Sequence, residues 1–304
     1  MRRAAAAALL LATLSGAASA EEALTVCLEE DVPPLSMKRG KEGAGFDLEV
    51  ARRVAALLGR PLRVQWYETE ADPDSQPDRQ VNALLSDGKC DLAGGYPLAA
   101  RALGRPMAER AKLPDFDGAR PEDRRRWVAL GTLVPTPAYR AGAIGVVMAP
   151  GKPAPQFRHL AELQGLRIGV EEKTLPDAIV THYRGGMLLG TVTHVTAGRP
   201  LFEGLARGDY DAVVVELHRY DAWRARHPDS GLTLTEYRHP IAFNFGFVGL
   251  STAAPLVQAA GAAVTRMREA GELPAIAERT GLTYAPPQVP EVTPPLRTAA
   301  LRDD

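Results

Sequence analysis

The loop Glu29-Glu30-Asp31 puts three carboxylates next to each other directly after an apolar run, and Val32-Pro33-Pro34 follows it. Three acids in one loop can be solvated, can meet a ligand, or can supply oxygen atoms to a hard cation. A second chemically loaded place is Thr174-Leu175-Pro176-Asp177, a hydroxyl cap followed by Pro in the first turn and an acid at the third position. Free amides at such a helix start form an anion site. An enzyme would need a nucleophile beside an oriented base, or paired carboxylates at a workable separation. The sequence has no G-x-S-x-G, and its six histidines show no H-E-x-x-H or other metal-ligand spacing. No catalytic residue, metal site or cofactor is therefore assigned.

The elements that position these groups can be read along the chain. Leu24 to Leu28 is a short strand, ended near Glu29 to Asp31 because Pro33 and Pro34 cannot continue a ladder. After a turn carrying Gly40, Gly43 and Gly45, apolar Phe46, Val50, Val54, Leu57 and Leu58 form one face of a helix. Asp47 complements the dipole of its first turn and Gly59 closes it. In open α/β sheets ligands bind beyond the carboxyl ends of strands, which places Glu29, Glu30 and Asp31 at a site. Further strands are expected at Leu62 to Tyr67, Gly165 to Val170, before Glu216, and at Leu232 to Tyr237. Pro255 to Met267 and Leu273 to Thr280 read as helices. His218, Tyr220 and Trp223 follow on a helix and are expected in the core or on the surface. The charged run Pro114 to Arg126 reads as a solvated loop, its Arg124-Arg125-Arg126 beside Trp127 being the one part suited to facing a partner. Beyond Pro286 the segment PPQVPEVTPP is expected to be extended or disordered.

Composition sets the class. The chain has 304 residues, 45% hydrophobic and 24% charged, enough for one large domain or two lobes. With 36 basic and 37 acidic residues the net charge is -1, so nothing points to nucleic acid or an anionic membrane surface. Arg2 and Arg3, the apolar run Ala4 to Leu14, and Ala18-Ser19-Ala20 have the layout of a cleavable secretory signal, so residues 1–20 are expected to be removed. After export the two cysteines, Cys27 and Cys90, can pair or stay as buried thiols.

Several stretches, in this order, resemble the family 3 extracellular solute-binding proteins, periplasmic type II binding proteins of polar amino-acid importers. They are the strand, acidic Pro-Pro loop and G-F-D-L opening; GKCDLAGGYPLAAR, Gly88 to Arg101; the P-A-Y-R segment before AIGVVM; GLRIGV, Gly165 to Val170; and GDYDAVVVE, Gly208 to Glu216. The resemblance implies an α/β protein of two lobes, each a mostly parallel sheet flanked by helices, with two crossover strands as hinge. It implies residues 21–140 and 240–285 in lobe 1, 141–239 in lobe 2, and a Pro-rich tail at 286–304. It implies a periplasmic protein, expected to be monomeric, that closes on an amino acid or related organic acid for an ABC-type importer. Its implied contacts are Glu29 and Asp31 in the loop, Arg101 on the ligand carboxylate with Thr174, Glu216 on the ammonium, and Tyr96 as a wall. Arg suits its role because its planar fork matches a carboxylate. The two cysteine-bearing strands are neighbours in that family, which implies a Cys27–Cys90 disulfide. Tyr96 and Leu98 stand where the family has threonine, Arg101 follows Asp91 more closely than usual, and residues 104–133 have no counterpart. These departures, with the two cysteines and P-I-A-F at Pro240 to Phe243, also resemble periplasmic homologues encoded beside quinoprotein alcohol dehydrogenases. That resemblance implies a dehydrogenase as partner. A third resemblance, to cyclohexadienyl dehydratases, would make cleft carboxylates catalytic.

Overall fold

A computed structural model describes residues 22–40, 42–69, 76–152 and 157–302. The expected signal segment, residues 1–20, lies outside the described residues. In chain order the strands begin with β1 (Leu24–Glu29), the small hairpin β2 (Asp31–Val32) and β3 (Ser36–Met37), then β4 (Leu62–Glu68), β5 (Leu92–Pro97), β6 (Arg110–Lys112), β7 (Asp115–Phe116), β8 (Trp127–Ala129), β9 (Leu133–Pro135) and β10 (Arg140–Ala141). They continue with β11 (Ile144–Met148), β12 (Ile168–Glu171), β13 (Val192–Val195), β14 (Ala212–Glu216), β15 (Thr233–Arg238) and β16 (Asn244–Leu250). The α-helices are α1 (Phe46–Leu57), α2 (Pro77–Ser86), α3 (Leu175–His182), α4 (Leu201–Arg207), α5 (Leu217–Arg226), α6 (Ala254–Glu269) and α7 (Glu272–Thr280).

Two sheets result. The first has the order β10-β16-β5-β1-β4-β7, with β9 also paired to β16; the second has the order β13-β12-β14-β11-β15. β1 pairs in parallel with β4 and β5, and β12 with β13 and β14, so Glu29, Glu171 and Glu216 all stand at carboxyl ends of parallel strands. The chain leaves the first sheet between β10 and β11 and returns between β15 and β16. That makes two lobes joined by two crossings. The strands β1, β11, β12 and β14 are almost entirely buried, as expected of strands covered on both faces.

The α1 face read from the sequence is the one that packs. Phe46, Val50, Val54, Leu24, Leu92, Phe247 and Val264 share one core, and Tyr139 sits wholly inside it. Gly45 is fixed by geometry, since it has φ +122° and a Cβ there would lie 2.4 Å from the Leu35 carbonyl oxygen. Cys27 and Cys90 form a disulfide with Cα atoms 5.6 Å apart, in a second core that includes Tyr67, Leu84 and Leu98.

Two regions hold more structure than their composition suggests. Residues 104–133 are a built element. β6 and β8 pair antiparallel, β7 extends the first sheet beside β4, and Ala111, Leu113, Phe116 and Val128 join the core around the disulfide. The charged run at 117–126 is the mostly exposed turn between β7 and β8, as expected, and the apolar residues on its flanks are the ones that face inward. The tail at 287–302 takes the extended of the two forms expected, and it is docked. Asn244, 1% exposed, donates from Nδ2 to the carbonyls of Gln288 (2.8 Å), Glu291 (3.0 Å) and Pro290 (3.2 Å), and its Oδ1 accepts from Gln288 N–H. Thr293 then pairs beside Leu98 and Ala100, and Leu301 joins the core of the second lobe with Ile179, Val180 and Tyr183. A proline-rich chain needs few ladder partners of its own, and side chains of the body supply them.

Candidate functional site

A cavity of ≈ 260 Å³ lies where the carboxyl ends of the two sheets meet. Glu29, Ser36, Tyr67, Gly95 and Asp47 face it from the first lobe, and Leu175, Glu216 and His218 from the second. Arg140, Gly142, Phe243 and Phe245 close it at the crossings.

Its floor is a buried ion pair. Arg140 donates from Nε to Asp47 Oδ1 (3.0 Å) and from Nη2 to Oδ2 (3.1 Å), with the two side chains 5% and 3% exposed. The guanidinium also lies 4.0 Å over the centre of the Phe245 ring. Burial alone would lower the Arg140 pKa, but the Asp47 charge and hydrogen bonds outweigh it and the group is held above its ordinary value. Gly95, φ +66°, makes the pair possible, because a Cβ there would sit 2.8 Å from Asp47 Oδ2. The Gly95 N–H donates to the Tyr139 hydroxyl, whose pKa is pushed up by burial and by the Asp47 charge. Tyr67 is raised in the same way, by burial and then by Glu29 and Asp47.

The second wall carries acids on a partly open face. The Glu216 side chain lines the cavity and is 39% exposed. Crowding by protein raises its pKa, Glu171 adds to the rise, and Arg219 and Arg140 oppose it. His218 is driven down to about 3 by burial and then by the Arg140 and Arg219 charges, so it is neutral at ordinary pH. Its Nδ1 is 3.9 Å from Glu216 Oε2, a neutral contact and not an ion pair. Arg219 is itself occupied by Glu171. Glu29 accepts a hydrogen bond from the Thr69 hydroxyl at 2.5 Å.

The structure brings Glu29 and Glu216 to this cavity and separates the rest. Thr174 caps α3, accepting from Asp177 N–H (3.2 Å) and donating to the Glu171 carbonyl (2.7 Å), one residue before cavity-lining Leu175. Asp31 is exposed on β2 and lines a different depression with Pro33, Arg199 and Arg219. Tyr96 and Arg101 are not in the cleft. Gly95 and Pro97 line it, so the period-two alternation of a strand sends Tyr96 to the opposite face. There its hydroxyl donates to the Ala102 carbonyl at 3.2 Å, and Arg101 sits exposed beside it. His218, expected in the core or on the surface, lines the cavity, whereas Tyr220 and Trp223 are buried in the core of the second lobe. The guanidinium in the cleft belongs to Arg140. The signal available for it was the P-A-Y-R run just ahead of a crossing, but the register that turns it inward comes from β10 pairing with β16. Among the described residues no group of three or more His, Cys, Asp or Glu is placed to hold a metal ion, so the acidic loop 29–31 is not assembled as a cation site.

No protein-family model matches the chain, and no curated protein matches it in sequence. Solved structures do match in fold. The substrate-binding domain 2 of Lactococcus lactis GlnP in its open conformation aligns with TM-score 0.61 and 12% identity, over 86% of this chain and 95% of that one. The unliganded, open L-cystine solute receptor of Neisseria gonorrhoeae aligns with TM-score 0.57 and 17% identity, over 86% and 93%. A histidine kinase sensor domain described as similar to periplasmic binding proteins aligns with TM-score 0.54 and 15% identity, over 88% and 99%. The chain therefore has the two-lobed α/β fold of the periplasmic solute-binding proteins. The resemblance read from the sequence, to their family 3 type, is met at the level of fold.

Proposed function

We propose that the protein is an exported, monomeric binding protein of the periplasm. Its lobes close on a small polar solute held between Glu29 of one lobe and Glu216 of the other. The observation that carries this reading is the cavity itself, which stands at strand carboxyl ends where the two sheets meet and is lined from both sides. Hinge closure around such a solute is the conformational change a binding protein can present to a membrane partner, here an ABC-type importer. The ligand class implied by the resemblance is the amino acids, and the cavity's free acids support the ammonium end of that class. We read the site as binding and not catalytic, since His218 is neutral and the Glu171 carboxylate is held by Arg219.

One observation favours the accessory reading, in which the partner is a periplasmic quinoprotein dehydrogenase. The element at residues 104–133 exposes Met107 (88%) and Trp127 (43%), apolar surface of the kind a protein partner would cover.

The test is thermal unfolding of the mature protein, disulfide intact, against amino acids, amines, organic acids and di- and trivalent cations. A solute at one hundred times its dissociation constant adds about 2.7 kcal/mol, a shift of several degrees at this size. A shift abolished by Glu216→Gln supports the cleft as the site. No shift with any solute contradicts solute capture and directs attention to pull-down of a partner.

A further inference from the structure

We infer that the cleft is built for a small organic cation that lacks a carboxylate, an amine and not the corresponding amino acid. This rests on the cleft being the solute site, and it comes from sorting what the cavity offers to each sign of charge.

The cations that would receive an anion already have a carboxylate partner inside the protein, and several polar groups around them are bonded as well. Arg140 spends Nε and Nη2 on Asp47 and lays its face on Phe245. Arg219, beside Glu216, is taken by Glu171. The Ser36 hydroxyl donates to the Glu29 backbone carbonyl, the Gly95 N–H to Tyr139, and the Gly142 N–H to the Phe243 carbonyl. At the start of α3, the Asp177 carboxylate holds the Lys173 N–H, Thr174 Oγ1 holds the Asp177 N–H, and Pro176 has none to give. A carboxylate brought into the cavity would lose its water and meet arginines whose charge Asp47 and Glu171 already offset, which is costly.

Groups that would receive a cation are left open. Among the described residues the Glu216 carboxylate accepts no hydrogen bond, and the Glu29 carboxylate accepts only that of Thr69. Three carboxylates, Glu29, Asp47 and Glu216, line the cavity against the single charged base Arg140, while Tyr67 and Phe243 add aromatic wall. An ammonium placed between the two lobes' free acids offsets part of this excess negative charge, and aromatic faces favour it further. Because Glu29 and Glu216 belong to different lobes, the same ammonium would hold the cleft closed.

The test is calorimetric titration of the mature protein with matched pairs that differ by one carboxylate: agmatine and arginine, putrescine and ornithine, cadaverine and lysine. At least one amine is expected to bind ten-fold or more tightly than its amino acid. Glu29→Gln and Glu216→Gln should each weaken that amine at least ten-fold while keeping one cooperative unfolding transition. An amino acid binding as tightly as its amine overturns the inference and leaves amino-acid capture standing. Binding of neither member of any pair overturns it as well; a response to some other solute in the wider panel would then keep solute capture, and silence throughout would remove both.

Discussion

Arg140 and Asp47 meet side-on at the floor of the cleft, two parallel hydrogen bonds of 3.0 and 3.1 Å joining the start of α1 to the crossing that leaves the first lobe. One pair thus ties the helix that opens the lobe to the chain that exits it. Both charges are almost wholly out of water, so each depends on the other.

Removing one partner leaves a buried charge uncompensated. Asp47→Ala is expected to cost about 3–5 kcal/mol in urea unfolding. Asp47→Leu combined with Arg140→Met should cost clearly less than the single change, because no unpaired charge remains. Equal losses would mean that the pair matters through packing alone.

The Cys27–Cys90 bridge closes a loop with a sequence separation of 63 between β1 and the turn that leads into its neighbour β5. In the chain-entropy model such a loop contributes about 4 kcal/mol. Cys27→Ala with Cys90→Ala should lower the urea midpoint accordingly, and wild-type protein under reducing conditions should follow it.

The cleft's titrating groups set opposite pH trends. Glu216 has its pKa raised, chiefly by burial, so the folded state favours its protonated form. The associated stability is complete below the ordinary value of 4.5 and is lost as pH rises through the folded value. Glu216→Gln is therefore expected to raise the unfolding temperature at pH 7 and to change little at pH 4. His218 is depressed from 6.5 to about 3, so its neutral form stabilises above 6.5 and that stability drains as pH falls toward 3. His218→Asn should flatten the acid limb of the stability profile. Arg140, Arg219, Glu171 and the Glu216–His218 pair are the charged groups facing one another here, and both variants should be measured at equal salt.

Asn244 anchors the tail through three carbonyls and one amide. Asn244→Ala should cost about 1–3 kcal/mol and expose residues 286–302 to limited proteolysis. Leu301→Ala should loosen the same segment at its far end, in the second lobe. Protection of the tail in both variants would contradict this account of its docking.

Legible in the sequence were α1, the neighbouring of the two cysteine-bearing strands implied by its resemblance, and the strand-end positions of Glu29 and Glu216, because strand ends, glycine turns and helical periodicity are local signals. It did not disclose Asp47 as a site residue: its place in a first turn explained it well enough. Distance along the chain points to Arg101, and a single step of strand alternation at Tyr96 is enough to turn that neighbourhood away from the cleft. The ordered tail was hidden for a related reason. Its partners, Asn244, Leu98 and the α3 core, lie far away in the chain, and its own composition resembles that of a segment with none.

The central claim is that Glu29 and Glu216 form one cation-receiving site across the cleft. Titrating the mature protein, Glu29→Gln, Glu216→Gln and the double variant with agmatine, putrescine and cadaverine tests it most directly. The account predicts that each single change weakens the best-bound amine at least ten-fold and that the double change is not the sum of the two, since both acids hold one ammonium. Binding undiminished in both single variants would contradict it.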